Sequence, residues 1–149
     1  MSLTKALLAC ENIMLDVDVS SKKRLLEEVS KFIESRHGLS AEAVFECLFN
    51  REKLGSTGLG CGVAIPHGRL TDLVGEHIAV FFRTKEAIDF DAPDDKAVSM
   101  FFVLIVPENA DNKHLEVLSN LASIFSSKEN RETLSTVEDI ETICNIFAK

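Results

Sequence analysis

LGSTGLGCGVAIPHGRL, running from Leu54 to Leu70, is the stretch on which the reading of this chain turns. Five of its residues are glycine (Gly55, Gly58, Gly60, Gly62 and Gly68), and a short apolar run ends in Pro66-His67-Gly68. Glycine loses more backbone freedom on folding than other residues, so the cluster marks tight turns or a close approach of backbone to something. GVAIP inside it predicts a short strand. Pro66 fixes its own φ and biases Ile65 toward extended geometry, so His67 is expected where that strand stops. Gly68 is expected to let the chain turn away with no side chain in front of the imidazole.

The two common phosphate loops do not fit. A P-loop needs Lys followed by Ser or Thr after its last glycine, opening a helix; here Val63 follows Gly62. Gly58, Gly60 and Gly62 are spaced G-x-G-x-G rather than G-x-G-x-x-G. The dinucleotide fingerprint also needs a strand before and a helix after, the reverse of this order.

Working outward, IMLDVDV (Ile13 to Val19) predicts a short strand or extended lead-in. Ser20 and Ser21 offer caps for a helix with Leu25, Leu26, Val29, Phe32 and Ile33 on one face, ended by His37-Gly38. Ser40 caps a second helix that runs to about Lys53. HIAVFFR (His77 to Arg83) and AVSMFFVLIVP (Ala97 to Pro107) predict strands, the second apolar enough to be central and buried on both faces. AIDFDAPDD between them predicts a hairpin-like excursion. In the last third Asp111 is an N-cap candidate ahead of a stripe of Leu115, Leu118, Leu121, Ala122 and Phe125. Ser126/Glu129 and Ser135/Glu138 have capping-box spacing, and Ile140, Ile143, Cys144 and Phe147 give a last helix its buried face. Helices, then strands, then helices indicate an α/β domain with helices covering a sheet. With no linker-like stretch and no repeat, residues 1–149 read as one domain.

The composition is that of a globular protein, 46% hydrophobic and 27% charged, with ten Phe and neither Trp nor Tyr. A formal charge of −8 argues against nucleic acid, whose phosphates need concentrated Lys and Arg. It suits a basic protein partner, and equally simple solubility. No apolar run approaches a membrane span, and Lys5 and Glu11 interrupt the N-terminus too early for a signal peptide. Cys10, Cys47, Cys61 and Cys144 form no C-x-x-C pair, so four reduced cysteines in a cytoplasmic protein are expected.

His67 is the candidate nucleophile. At the ordinary imidazole pKa near 6.5, about three quarters of such rings are neutral at pH 7, so no partnering base is required. Phosphoryl transfer asks chiefly for positioning and for positive charge around the phosphoryl oxygens. Arg51, Arg69 and the loop's own N–H groups are candidates for that charge. His114, placed by an Asp111 cap in the first turn of a helix, is a second candidate for holding phosphate or the ring of His67. It also lines up with Leu118, Leu121 and Phe125, which fits the end of a core stripe. An isolated Pro-His-Gly likewise fits an ordinary loop histidine. His37 and His77 read as ordinary. A zinc site from Cys61, His67 and His77 or His114 lacks any recognised ligand spacing. A Cys61–His67 nucleophilic pair has only sequence proximity behind it.

REKLGSTGLGCGVAIPHG, Arg51 to Gly68, resembles the active-site segment of the mannitol/fructose class of enzyme IIA proteins of the bacterial phosphotransferase system, nearest to its nitrogen-regulatory branch. LDVDVSSKKRLLEEVSKFI, IDFDAPDDKAVSMFFVLIVP and NKHLEVLSNLASIF extend the resemblance over nearly the whole chain. It implies a mixed sheet sandwiched between helical layers. It implies that His67 accepts a phosphoryl group, at Nε2, from a phosphohistidine carrier of the HPr or NPr type. Arg51 would support that group and His114 would face the same site. The resemblance further implies a cytoplasmic phosphorelay component without cofactor or metal. Its regulatory targets would be of the potassium-transport or kinase kind, or it would have a separate IIB sugar-transport partner. Cys61 stands where Asn is expected in near relatives, and a thiol there raises the expectation of an oxidation-sensitive site.

Overall fold

AVSMFFVLIVP does form the middle of the sheet. The computed structural model describes residues 8–71, 73, 75–109 and 113–147, without the side chains of 8–10, 113 and 114. Among these residues lie β1 (Leu8–Val17), α1 (Lys22–His37), α2 (Ala41–Lys53), β2 (Gly58–Gly60), β3 (Val63–Ala64) and β4 (His67–Leu70). They are followed by β5 (Ile78–Ile88), β6 (Val98–Pro107), α3 (Lys113–Ser126), α4 (Lys128–Thr136) and α5 (Ile140–Phe147).

The sheet is mixed, in the order β1-β5-β6-β3-β2, with β4 also on β6. β1 runs parallel to β5, β5 antiparallel to β6, and β3 antiparallel to β2. β3 and β4 lie one after the other along the same edge of β6, both parallel to it, from Val63 opposite Met100 to Leu70 opposite Pro107.

Alternation along the central strands divides the core in two, since successive side chains of a strand point to opposite faces. Val98, Phe101, Val103 and Ile105 pack with Val80 and Phe82 beneath Leu25, Val29, Ile33 and Leu48 of α1 and α2. Met100, Phe102, Leu104 and Val106 pack with Phe81 against Leu121, Phe125, Leu134 and Phe147 of α3, α4 and α5. Phe81, Phe82, Phe101 and Phe102 are fully buried, each worth about 1.5–3 kcal/mol of apolar burial. The result is the expected α/β sandwich, one sheet between two helical layers.

The caps of the first two helices lie where the sequence puts them. Ser21 accepts from the Arg24 N–H at 3.2 Å, and Gly38 closes α1 with φ 74° and its N–H on Glu34 O. Ser40 accepts from the Ala43 N–H at 3.3 Å. The last third departs from expectation in phase. Val117, Leu121, Ile124 and Phe125 form the buried stripe of α3, while Leu115 and Ala122 face outward. Leu115 and Ala122 fit the helical spacing of a stripe, but the β-branched Val117 and Ile124, two turns apart, hold the buried side. Ser127, not Ser126, caps α4, accepting from the Asn130 N–H at 3.2 Å. Ser135 lies inside α4, its hydroxyl turned back to Glu132 O, so it starts no helix. Asp111 lies outside the described residues.

Cys47 and Cys61 are free, but Cys144 is disulfide-bonded, so the expectation of four reduced thiols fails at that position. Its partner is not among the described side chains.

Candidate functional site

The glycine-rich stretch folds into a small hairpin, β2 and β3, whose turn is Cys61-Gly62. Both residues have positive φ, 58° and 81°, as a two-residue type I′ hairpin turn requires. Gly62 takes this conformation freely, whereas Cys61 takes it against the clash of its Cβ. Asp94 holds the turn: its Oδ2 accepts from the Cys61 N–H at 2.8 Å and its Oδ1 from the Lys96 N–H at 3.1 Å. Those two N–H groups, Cys61 first, hold the Asp94 carboxyl below its usual range.

The other end of the hairpin is pinned from beneath. Glu52, in the last turn of α2, is buried; its Oε1 accepts from the Thr57 N–H at 3.0 Å and from the Thr57 hydroxyl, and its Oε2 meets Lys22 Nζ at 2.7 Å. Thr57 O in turn accepts the Ile65 N–H at 3.0 Å. Ile65 O lies 2.8 Å from Nδ1 of His67. A carbonyl can only accept, so in the neutral ring Nδ1 bears the proton and Nε2 the lone pair.

His67 does not end a strand but opens one. Pro66 accepts from the Leu104 N–H through its carbonyl at 3.0 Å, and the chain then pairs with β6 from His67 to Leu70. Pro66 has no N–H, so the chain leaves the ladder for only a short step between β3 and β4. Gly68 therefore makes no turn. A Cβ built there would lie 2.5 Å from Cys47 Sγ and 3.4 Å from Cys47 O. The missing side chain lets α2 pack directly on β4, and this is why a glycine follows the histidine.

That close packing brings Arg51 of α2 to the wall that His67 occupies. Arg51 donates to Gly55 O at 2.8 Å, the first residue past the helix cap. Arg51 and His67 together line two hollows. The larger, about 470 Å³, also includes Cys47, Leu54 and Arg69, with Leu104 and Val106 of β6. The smaller, about 230 Å³, includes Thr57, Leu59, Ile65 and Leu118. Arg69 donates to Glu108 O at 3.0 Å. His67 is half-buried between the two, and the rim is apolar: Leu54 is 84% exposed and Leu59 43%.

Of the predicted site residues, His67, Arg51 and Arg69 are thus brought together. His114 lies in the first turn of α3, with its side chain outside those described. His37 ends α1 and His77 precedes β5; neither lines either hollow. Cys61 is exposed on the hairpin turn, beside Arg131 rather than His67, so the sequence pairing of that thiol with the histidine is not assembled. The thiol that does line the larger hollow is Cys47, which donates to Arg69 O at 3.1 Å and whose pKa burial pushes up to about 11. Among the described residues no group of three or more His, Cys, Asp or Glu could hold a metal ion. No helix among them is long and apolar enough to cross a membrane.

Lys22, Glu52, Thr57 and Cys47 were not singled out in the sequence. Glu52 did carry a signal: an acidic residue in the last turn of a helix opposes the macrodipole, so it needs a specific partner.

The family description "Phosphoenolpyruvate-dependent sugar phosphotransferase system, EIIA 2" matches residues 6–149, and the chain belongs to that family. Within it the chain is 39% identical over 144 residues to the nitrogen regulatory protein homolog of Haemophilus influenzae, covering 95% of this chain and 88% of that protein. The crystal structure of nitrogen regulatory protein IIA-Ntr from Neisseria meningitidis superposes with a TM-score of 0.92 at 54% identity, covering 98% of this chain and 99% of that one. The crystal structure of IIA mannitol from Escherichia coli shares the fold, with a TM-score of 0.79 at 22% identity over 94% and 98% of the two chains.

Proposed function

We propose that this protein is a phosphohistidine relay component in which His67 takes a phosphoryl group from a phosphocarrier protein of the HPr or NPr type. Phosphoenolpyruvate would be the ultimate source, and the protein would act as a stoichiometric intermediate. The observation that carries this reading is the 2.8 Å contact between His67 Nδ1 and Ile65 O. It keeps the proton on Nδ1 and presents the Nε2 lone pair without the help of a separate base.

In the transfer step an N–P bond forms at Nε2 while the carrier's own N–P bond breaks, and that electron pair returns to the carrier's imidazole. The Nδ1 proton stays in place, so the phosphorylated ring gains positive charge, which Ile65 O stabilises. Arg51, held by Gly55 O, supplies positive charge for the phosphoryl oxygens, and Arg69 lines the same hollow. Placed charge of this kind is the main thing phosphoryl transfer needs. His114 is assigned a supporting role toward the phosphoryl group in this reading. The exposed Leu54 and Leu59 beside His67 give a protein donor apolar surface to dock on.

Downstream, the similarity to nitrogen regulatory proteins favours regulation in the cytoplasm: the chain binds target proteins, of the potassium-transport or kinase kind, according to its phosphorylation state. A phosphoryl group adds roughly −1.5 to −2 charge at pH 7, on a chain whose formal charge is already −8. The added charge offsets that of Arg51 and Arg69 in the same hollow, which changes the electrostatics that a docking partner meets.

The test is intact-protein mass spectrometry after incubation with phosphoenolpyruvate, an enzyme I and a phosphocarrier. One acid-labile phosphoryl group is expected on the wild type and none on His67→Ala. No transfer from any carrier would refute the relay. Rapid loss of the group to an added fructose- or mannitol-type IIB would reassign the protein to sugar transport.

A further inference from the structure

The buried Glu52 lies away from the reacting atoms, yet it stands at the root of a continuous hydrogen-bonded path to them. Its Oε1 fixes the Thr57 N–H and hydroxyl, Thr57 O fixes the Ile65 N–H, and Ile65 O fixes His67 Nδ1. Glu52, Thr57 and Ile65 are all buried and the middle link is backbone, so little freedom remains along it. Glu52 is also the chain neighbour of Arg51, and its carbonyl accepts from the Gly55 N–H at 3.1 Å, the residue whose own carbonyl holds the Arg51 guanidinium at 2.8 Å. One residue therefore anchors both the ring's partner and the arginine's partner.

The carboxylate is itself held. Its side chain is 2% exposed, and Lys22 Nζ reaches it at 2.7 Å from the first turn of α1. Lys22 is fixed in turn by Asp91 at 3.4 Å, and lies over the Phe90 ring at 4.6 Å. Ser56 donates to Phe90 O at 2.8 Å and accepts from the Gly58 N–H at 3.0 Å, which closes the circuit back to the glycine loop. A buried ion pair adds little stability compared with a well-packed apolar pair. What it offers here is direction: an acceptor aimed at Thr57.

We propose that Glu52, oriented by Lys22, is a positioning residue that sets the tautomer and placement of His67 through Thr57 and Ile65. This rests on the reading that His67 is the phosphoryl acceptor. Glu52 touches neither the phosphoryl group nor the ring. Its loss lets Thr57 and Ile65 shift, so that the ring samples the form with its proton on Nε2, which cannot attack. The effect falls on the transfer step inside the complex and not on docking of the carrier.

Two paired variants of the full chain separate this from a merely structural role. Lys22→Met with Glu52→Gln removes both charges but keeps a carbonyl for the Thr57 N–H. Lys22→Met with Glu52→Leu removes the charges and the acceptor together while keeping the volume filled. Both are melted by circular dichroism, and both are assayed below the transition for transfer from a phosphorylated carrier over a range of carrier concentrations. Ring tautomers are read, without any phosphoryl donor, from long-range proton–nitrogen correlations of His67. The Gln pair is expected to transfer within threefold of wild type at saturating carrier, with the wild-type ring spectrum. The Leu pair is expected to lose at least tenfold in the saturating rate, with half-saturation within threefold, and to show protonation at Nε2. Equal saturating rates and equal ring spectra in the two folded pairs would overturn the proposal, as would a loss confined to half-saturation. A wild type that takes no phosphoryl group refutes the acceptor reading instead, and the ring spectra then decide the anchoring by themselves.

Discussion

Gly68→Ala tests the packing that brings the histidine strand against the arginine helix. The added Cβ would sit 2.5 Å from Cys47 Sγ, more than about 1 Å inside ordinary contact. The sulfur has little room to yield, because it is one bond from its own Cβ and donates to Arg69 O at 3.1 Å. Cys47 O lies 3.4 Å from the same point, so the helix backbone is at its limit too. Overpacking of this kind costs about 1–3 kcal/mol. In a chain of this size that lowers the melting temperature by about 2–4 °C per kcal/mol. Cys47→Ala removes the sulfur and leaves only the tolerable 3.4 Å contact. The double variant Cys47→Ala/Gly68→Ala is therefore expected to melt within a few degrees of Cys47→Ala alone, a coupling of at least about 1 kcal/mol in a double-mutant cycle. Urea and thermal denaturation of the four proteins measure it. A Gly68→Ala protein as stable as wild type would refute the reasoning, and so would a loss that persists in full without the sulfur.

Three further outcomes are expected. Cys61→Asn places a residue tolerant of positive φ at the hairpin turn, and should raise stability by about 0.5–1 kcal/mol in urea titration while leaving the transfer rate unchanged; a destabilised variant would contradict the turn assignment. In alkylation with iodoacetamide at pH 8, followed by peptide mass spectrometry, exposed Cys61 should react well before Cys47. With its pKa pushed up to about 11, Cys47 should speed up about tenfold per pH unit until that value, and equal rates at pH 8 would count against its burial. Arg51→Ala should lower the saturating rate of phosphoryl transfer by about 10²–10³-fold, and Arg51→Lys should recover only part of it because an ammonium lacks the planar fork; full recovery by Lys would mean that bulk charge alone matters.

The parts of this molecule that local chemistry controls were readable in its sequence. Ser21, Gly38 and Ser40 mark helix ends because a cap acts within a few residues of itself. The run from Val98 to Pro107 announces a central strand because every one of its neighbours must be apolar. His67 and Arg51 stand out by residue type at a glycine-rich loop, so the core of the candidate site was legible as well. What failed depended on contacts between distant segments. Gly68 looked like a turn because nothing nearby in the sequence says that Cys47 will press against it. His67 looked like a strand end because its pairing partner, Leu104, is far along the chain. The face of α3 was mis-phased because Leu115 and Ala122 mimic a stripe that Val117 and Ile124 occupy. Glu52 was overlooked since its meaning lies in Lys22 and Thr57, which only the fold assembles around it.

The most direct test of the central claim is to identify the nitrogen that is modified. Isotope-labelled protein, phosphorylated by its carrier, would be studied by long-range proton–nitrogen correlation with phosphorus coupling. The hydrogen bond from Nδ1 to Ile65 O predicts a phosphoryl group on Nε2 of His67, with the Nδ1 proton retained. A phosphoryl group on Nδ1, or on any residue other than His67, would contradict it.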